Sequence, residues 1–155
     1  MYRKSRRRRT DVLGKGHHAT ILHMWHHAGP DKRLADRQSR HYYDLVQLYD
    51  CGIGKTALAG TELLREVALH KSVFYAAKWA RYDQAIPGSL RLVPPDSRMQ
   101  ELRRDYRQMQ EMIFGTAPSF EKIIETLREI ERQINQSRVC PEFLASPCYF
   151  LPNRQ

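Results

Sequence analysis

Apolar residues recur at three- and four-residue steps along most of this chain, and that spacing is the strongest constraint on its fold. The pattern is clearest in residues 121 to 135, where aliphatic side chains fall on one helical face. These side chains are Ile123, Ile124, Leu127, Ile130 and Ile134. Because an amphipathic helix must bury its apolar face against another element, the pattern predicts helices packed around a shared core.

Glycine and proline divide the pattern into segments. The predicted helices are a short one from about Ile21 to the Gly29-Pro30 break, one over 33–50, one long or bent helix over 61–82, one over 99–114, and one over 121–135. Asp96 or Ser97 can cap the fourth helix and Ser119 the last. Prolines on both sides of residues 90 to 93 indicate an extended connector. We therefore predict an all-α fold of about five helices.

Length and composition suit one folded domain with a tail at each end. A chain of 155 residues can build a single core. Residues 1–16 have no hydrophobic period and are predicted to be a disordered basic tail. Residues 19–135 are predicted to form the helical lobe, and residues 138–155 an irregular tail.

The positive charge is unevenly placed. The formal net charge is +9, and Arg3, Lys4 and Arg6 to Arg9 contribute six positive charges before any acidic residue, which leaves +3 for the rest. A run of like charges is usually a solvated tail, and a nucleic-acid arm is the alternative.

Cysteine usage and hydropathy predict the compartment. Cys51, Cys140 and Cys148 have no CxxC spacing and accompany no secretory signal, which favours reduced thiols. No apolar run approaches the roughly 20 residues needed to cross a bilayer. We expect a soluble, cytoplasmic protein without a membrane partner.

The stretch from Ser39 to Leu45 is the strongest candidate for a functional site. It places Arg40, His41 and Asp44 inside an apolar helical pattern, where such groups are costly to bury. The structural alternative is that Asp44 only pairs with Arg40, four residues earlier on the same helix.

Ser39-Arg40-His41-Tyr42-Tyr43-Asp44-Leu45 resembles the last catalytic motif of the AbiEii/AbiGii-type nucleotidyltransferase toxins of bacterial abortive-infection systems. Further motifs agree with the family in order, over about residues 19–135, which is the C-terminal part of such an enzyme. They are His70 to Tyr75 with Trp79, Pro87 to Pro94, Asp105-Tyr106, Met109, Met112 to Gly115, Pro118 to Phe120 and Ile134-Asn135.

The resemblance implies an activity and partners. A family enzyme transfers NMP from an NTP to an RNA acceptor with Mg²⁺, with tRNA as the expected acceptor class, and a cognate antitoxin controls it. By the same resemblance, Asp44 is the catalytic aspartate, and Arg40, His41 and Lys71 bind nucleotide or phosphate. A surface lysine with its stem on apolar groups explains Lys71 equally well.

One half of the family's site has no counterpart here. The family's Gly-Ser turn followed by Asp-x-Asp does not occur in the 155 residues, since Gly88-Ser89 is followed by Leu90-Arg91. We expect the chain alone to be inactive and to use no cofactor. The alternative is that a separate polypeptide supplies the N-terminal lobe.

The family's nucleotide-binding lysine is also missing. Family members carry Arg-Thr-Phe-Trp-Glu-Lys directly before Ala-Thr-Ile-Leu-His, and codons for residues 9 to 17 can encode that motif one nucleotide out of frame. We therefore expect a frameshifted toxin gene whose product enters the ancestral frame near Ala19.

Three further patterns in the sequence are weaker. His23 and His27, within a cluster that includes His17, His18 and His26, have the spacing of a shared metal ion, but adventitious binding is the simpler interpretation. Gly54-Lys55-Thr56 lacks the first glycine and the preceding strand of a phosphate loop. The aromatic residues Tyr42, Tyr43, Phe74, Tyr75, Trp79 and Tyr82 alternate with cations and suit either base stacking or a core. The first use would make the chain a non-catalytic module that binds RNA or a partner protein.

Overall fold

A computed structural model describes residues 16–29, 31–53, 61–113 and 115–136. Its α-helices are α1 (residues 16–26), α2 (Ser39–Leu48), α3 (Thr61–Phe74), α4 (Asp96–Gln110) and α5 (Phe120–Gln136). A π-helical turn, Tyr49–Ile53, extends α2, and the 3₁₀ turns Lys78–Ala80 and Tyr82–Gln84 follow α3. The described residues contain no β-strand, so the predicted all-α class is confirmed.

Some predictions fall outside the described residues. These are the basic tail, apart from residue 16, the irregular tail over 138–155, and Gly54-Lys55-Thr56. Residue 16 is already helical, so α1 begins before the predicted Ile21.

The core lies where α2 contacts α4 and α5. Its largest fully buried apolar side chains come from four helices and the connector: Leu22, Val46, Leu90, Leu92, Leu102, Tyr106, Ile123 and Leu127. Burying an aliphatic side chain of this size stabilises a fold by roughly 1.5 to 3 kcal/mol. None of the described helices is long and apolar enough to cross a membrane.

Helix α3 is shorter than predicted. It ends at Phe74, and the chain turns instead of continuing to Tyr82. Ala77 is extended and Arg81 has a left-handed φ of 46°, so neither continues a helix. The turn buries Ala80 and Tyr82, whereas Phe74 at the end of α3 is 68% exposed. Burial of these later residues therefore outweighs helix propensity.

Helix α2 begins later than predicted and is capped from another helix. It starts at Ser39 and not at Arg33, since Arg37 has a left-handed φ of 63°. The Asp105 carboxylate on α4 accepts the backbone N–H groups of Arg37, at 2.7 Å, and Ser39, at 2.8 Å. A carboxylate at a helix N-terminus satisfies unpaired donors and complements the helix dipole. Helix α4 thereby fixes the start of the helix that carries Arg40, His41 and Asp44.

The extended connector is confirmed, and two residues of α5 hold it. Leu90 and Leu92 are fully buried. Asn135 Oδ1 accepts the N–H of Leu90 at 3.1 Å, and its Nδ2 donates to the same residue's carbonyl at 2.9 Å. Glu131 Oε2 accepts the N–H groups of Leu92 at 2.6 Å and Val93 at 3.1 Å. Side chains thus replace the strand partner that this extended segment does not have in the described fold.

The two predicted helix caps have different outcomes. Ser119 Oγ accepts the N–H of Lys122 at 3.2 Å, which confirms the cap of α5. Helix α4 begins at Asp96 after Pro95 without a side-chain cap hydrogen bond, so its predicted cap is wrong, and it ends at Gln110 and not at residue 114. Pro95 at the N-cap has no backbone N–H, so this end of the helix has one donor fewer to satisfy.

Candidate functional site

The candidate site lies where α1 and α2 meet. His41 and Asp44 are three residues apart on α2 and therefore share one helix face. His18 of α1 faces them: its Nδ1 is 3.0 Å from Nδ1 of His41, and its Nε2 is 4.0 Å from Oδ2 of Asp44. One potential ligand atom from each of the three residues lies within 4.8 Å of the others.

Exposure increases from the imidazoles to the carboxylate. His41 is buried, with 7% of its surface exposed. The side chain of His18 is 18% exposed and that of Asp44 is 44% exposed. The carboxylate therefore reaches solvent, while the two rings lie below it in a drier environment.

Burial and neighbouring cations keep both rings neutral. Burial lowers the pKa of His41 to about 4, and the charges of His18 and Arg40 add to the effect. Burial also lowers the pKa of His18, although the Asp44 carboxylate raises it in part. Two nitrogens at hydrogen-bonding distance need one donor and one acceptor, so protonation of both Nδ1 atoms is disfavoured. The site consequently presents imidazole nitrogens with lone pairs at neutral pH.

Lys71 approaches the site from α3. A Cβ placed on Gly16, at the start of α1, would lie 3.3 Å from Cγ2 of Val67, so the two helices touch there. Lys71 is one turn beyond Val67, and its charge lowers the pKa of His18 and His41. Partial burial lowers the pKa of Lys71 itself.

Arg40 contributes charge without pairing with Asp44. It is exposed on α2, and its charge also lowers the pKa of His41. Among the described residues, the Asp44 carboxylate lies 4.0 Å from the His18 ring and forms no ion pair with Arg40. The structure therefore groups His41, Asp44, His18 and the charges of Arg40 and Lys71, while the roles of these residues stay predictions.

Two other histidines of α1, His23 and His26, bind backbone groups, whereas His17 is exposed and its ring centroid lies 5.7 Å from that of His18. His23 is fully buried; its Nδ1 accepts the N–H of Arg91 at 3.0 Å, so its Nε2 carries the proton and donates to the carbonyl of Arg81 at 3.0 Å. His26 Nδ1 donates to the carbonyl of Val93 at 2.8 Å. Although His23 and His27 have ring centroids 4.7 Å apart, His23 has no free nitrogen for a metal ion.

The aromatic residues divide between core and surface. Tyr42 and Tyr82 are buried, as the core interpretation predicts. Phe74 and Tyr75 are 68% and 66% exposed, and Nζ of Lys71 lies 5.3 Å from the ring centroid of Tyr75. Tyr43 and Trp79 are partly buried, so Phe74 and Tyr75 are the most accessible of these six residues for stacking.

Comparison with known families identifies the chain. The sequence model described as nucleotidyl transferase AbiEii toxin, type IV toxin–antitoxin system, matches residues 18–130, which is more than half of the 155 residues. The chain belongs to the AbiEii family. Membership supports a nucleotidyltransferase toxin and implies an antitoxin partner. No curated protein and no solved structure matched the chain.

The sequence analysis grouped His18 with the other histidines of α1 and did not place it beside His41 and Asp44. His18 directly precedes Ala19-Thr20, where the resemblance places the family's nucleotide-binding lysine, and this position was the available signal. It also missed Asp105 as the cap of α2, because the two partners are 66 residues apart in the chain.

Proposed function

We propose that this chain supplies the Asp44 face of an AbiEii-type nucleotidyltransferase site. There an NTP with Mg²⁺ would be held while its NMP unit passes to an RNA acceptor, with tRNA as the favoured class. The observation that supports this proposal is the convergence of α1, α2 and α3, which gathers Asp44 and the charges of Arg40 and Lys71 near one surface.

Each charged group has a distinct task in this proposal. The half-exposed Asp44 carboxylate offers the oxygen ligand that Mg²⁺ prefers. Lys71 and Arg40 supply positive charge toward a triphosphate, and phosphoryl transfer depends on such placement and electrostatic stabilisation. When bound, Mg²⁺ neutralises the charge that develops on the phosphate oxygens. The imidazole nitrogens of His18 and His41 do not suit this hard cation, so Asp44 is the group that fits it.

We also propose that the chain alone does not catalyse transfer. The 155 residues contain no Gly-Ser followed by Asp-x-Asp, so the remaining metal carboxylates must come from elsewhere, such as a separate N-terminal lobe. Removing a single electrostatic donor from an active site already costs about 10² to 10³ in rate. Binding of the Mg²⁺–NTP complex can persist where transfer does not.

Binding and transfer are tested separately. Binding of labelled NTP in Mg²⁺ to the full chain should weaken about 10-fold or more in Lys71→Ala, because a phosphate-facing charge is lost, and Asp44→Asn should reduce its Mg²⁺ dependence. Asp36→Asn, an exposed carboxylate before α2, is the matched control and should bind like the parent. Equal affinity in all four proteins would contradict the proposal.

Transfer is measured with the same labelled NTPs and bulk tRNA. The chain alone should label no RNA. RNA labelling by the chain alone that disappears in Asp44→Asn would contradict the proposed inactivity and make the chain a complete enzyme.

The second candidate is a non-catalytic module that binds RNA through the exposed end of α3. The exposed Phe74 and Tyr75 beside Lys71 favour it, because base stacking on aromatic groups tolerates any sequence. RNA affinity that falls steeply with salt, and that Tyr75→Ala reduces without any effect on NTP binding, would support this candidate over the first.

A further inference from the structure

We propose that His18, His41 and Asp44 form a binding site for Zn²⁺. The proposal does not depend on nucleotidyl transfer, because it rests on two imidazoles and one carboxylate that two helices bring together. The residues are distant in the chain, and the fold alone makes them neighbours.

The donor set selects the class of metal. Imidazole nitrogens suit zinc and other transition metals, whereas Mg²⁺ requires oxygen ligands. Catalytic zinc sites commonly have three protein ligands and one open position for water. Here the half-exposed Asp44 leaves the solvent side of the cluster open for that fourth ligand.

The distances are close to those of a zinc site. Two ligands at about 2.1 Å from a tetrahedral zinc ion lie about 3.4 Å apart. One ligand atom from each of His18, His41 and Asp44 lies within 4.8 Å of the other two, and the Nδ1 atoms of His18 and His41 are 3.0 Å apart. Ring and carboxylate rotations within this cluster can therefore reach the required geometry while the helices stay in place.

No hydrogen bond to the backbone holds the ring nitrogens of His18 and His41 in the described structure. Among the described residues, their ring nitrogens contact each other and Asp44, and no backbone group binds them. His23 and His26 differ, since backbone groups of Arg81, Arg91 and Val93 bind their nitrogens. The support of the ligands is nevertheless firm, because Asp105 caps α2 just before His41.

Lys71 and Arg40 oppose a cation at this site. Their positive charges reach His18 and His41, so they weaken zinc binding while favouring an anionic nucleotide. This opposition yields a sharp test: Lys71→Ala should strengthen zinc binding and weaken NTP binding. A variant that only disturbed the fold would weaken both.

The experiment is a zinc titration of the full chain with any histidine tag removed, in competition with a chromophoric chelator and without nucleotide. The parent should bind one Zn²⁺ per chain, and excess Mg²⁺ should not displace it. His18→Gln, His41→Gln and Asp44→Asn should each weaken binding by about 10-fold or more. His70→Gln is the control, because that imidazole is exposed on α3 and its ring packs against Phe74, and it should bind like the parent.

Three results would overturn the proposal. The first is zinc binding that does not saturate at one ion per chain. The second is an equal loss of zinc affinity in His70→Gln and His18→Gln. The third is a Lys71→Ala protein that binds zinc no more tightly than the parent. Circular dichroism of each variant separates loss of the site from loss of the fold. Zinc binding without NTP binding would support the zinc site and reject the proposed nucleotide role. NTP binding without zinc binding would support the nucleotide role and reject the zinc site.

Discussion

The histidines at the two ends of α1 have different kinds of partner. At its C-terminal end, His23 and His26 bind backbone groups of the connector and the Arg81 turn. At its N-terminal end, His18 faces the side chains of His41 and Asp44. A histidine whose partners are backbone groups holds the fold, whereas one whose partners are titratable side chains is available for chemistry. Dense histidines in one helix are thus two features and not one metal site.

The largest expected effect comes from removing the structural histidine. His23→Ala should lower the free energy of unfolding by about 3 to 4 kcal/mol, because it opens a cavity and leaves the Arg81 carbonyl and the Arg91 amide without their partner. His18→Ala should lower it by about 1 kcal/mol or less. Urea denaturation monitored by circular dichroism measures both changes. Equal losses of unfolding free energy in the two variants would contradict the different roles assigned to His23 and His18.

Acidification should destabilise the protein through protonation of His23. Burial lowers the pKa of His23 to about 4. The unfolded chain, with a histidine pKa of about 6.5, binds this proton more readily, so stability falls as the pH drops from about 6.5 to 4, by up to about 3 kcal/mol. His41, with the same lowered pKa, adds to the fall. Stability measured across this range should be flatter in His23→Gln than in the parent, and an unchanged slope would reject this origin.

A smaller effect is expected from the cap that holds the site helix. Asp105→Ala should cost about 1 to 2 kcal/mol, because the N–H groups of Arg37 and Ser39 lose their acceptor. Zinc and nucleotide binding should weaken with it, since the start of α2 loosens. Asp96→Ala, at the exposed start of α4, is the matched control and should change stability by less. A larger loss of stability in Asp96→Ala than in Asp105→Ala would contradict the role of Asp105 in holding the start of α2.

The smallest effect tests the remaining connector contact of α1. His26→Ala should cost about 1 kcal/mol, because a single hydrogen bond to Val93 at a half-buried position is lost. Zinc affinity should stay at the parental value. Thermal unfolding and the zinc titration together check this result, and a loss of zinc affinity would contradict the purely structural role of His26.

Much of the fold was predictable because local spacing determines it. Helix α5, Phe120–Gln136, matches the predicted 121–135 closely, since its apolar face repeats without interruption. The connector was predictable from its flanking prolines. The start of α2 and the end of α3 were not predictable, because no glycine or proline marks the left-handed backbone of Arg37 or the extended backbone of Ala77.

The candidate site was only half predictable. His41 and Asp44 share a helix face, and the family motif marks them, so local spacing sufficed. His18 lies 23 residues before His41, and no local pattern places its ring against that of His41.

The sequence alone determined the family, the all-α class and the helix face that carries His41 and Asp44, because motif order and apolar period are properties of neighbouring residues. Only the tertiary structure decided which histidine joins that face and which ones bind the connector. The reason is physical: a ring's role depends on the groups its nitrogens meet, and those groups lie 23 residues away for His18 and 58 or 68 residues away for His23.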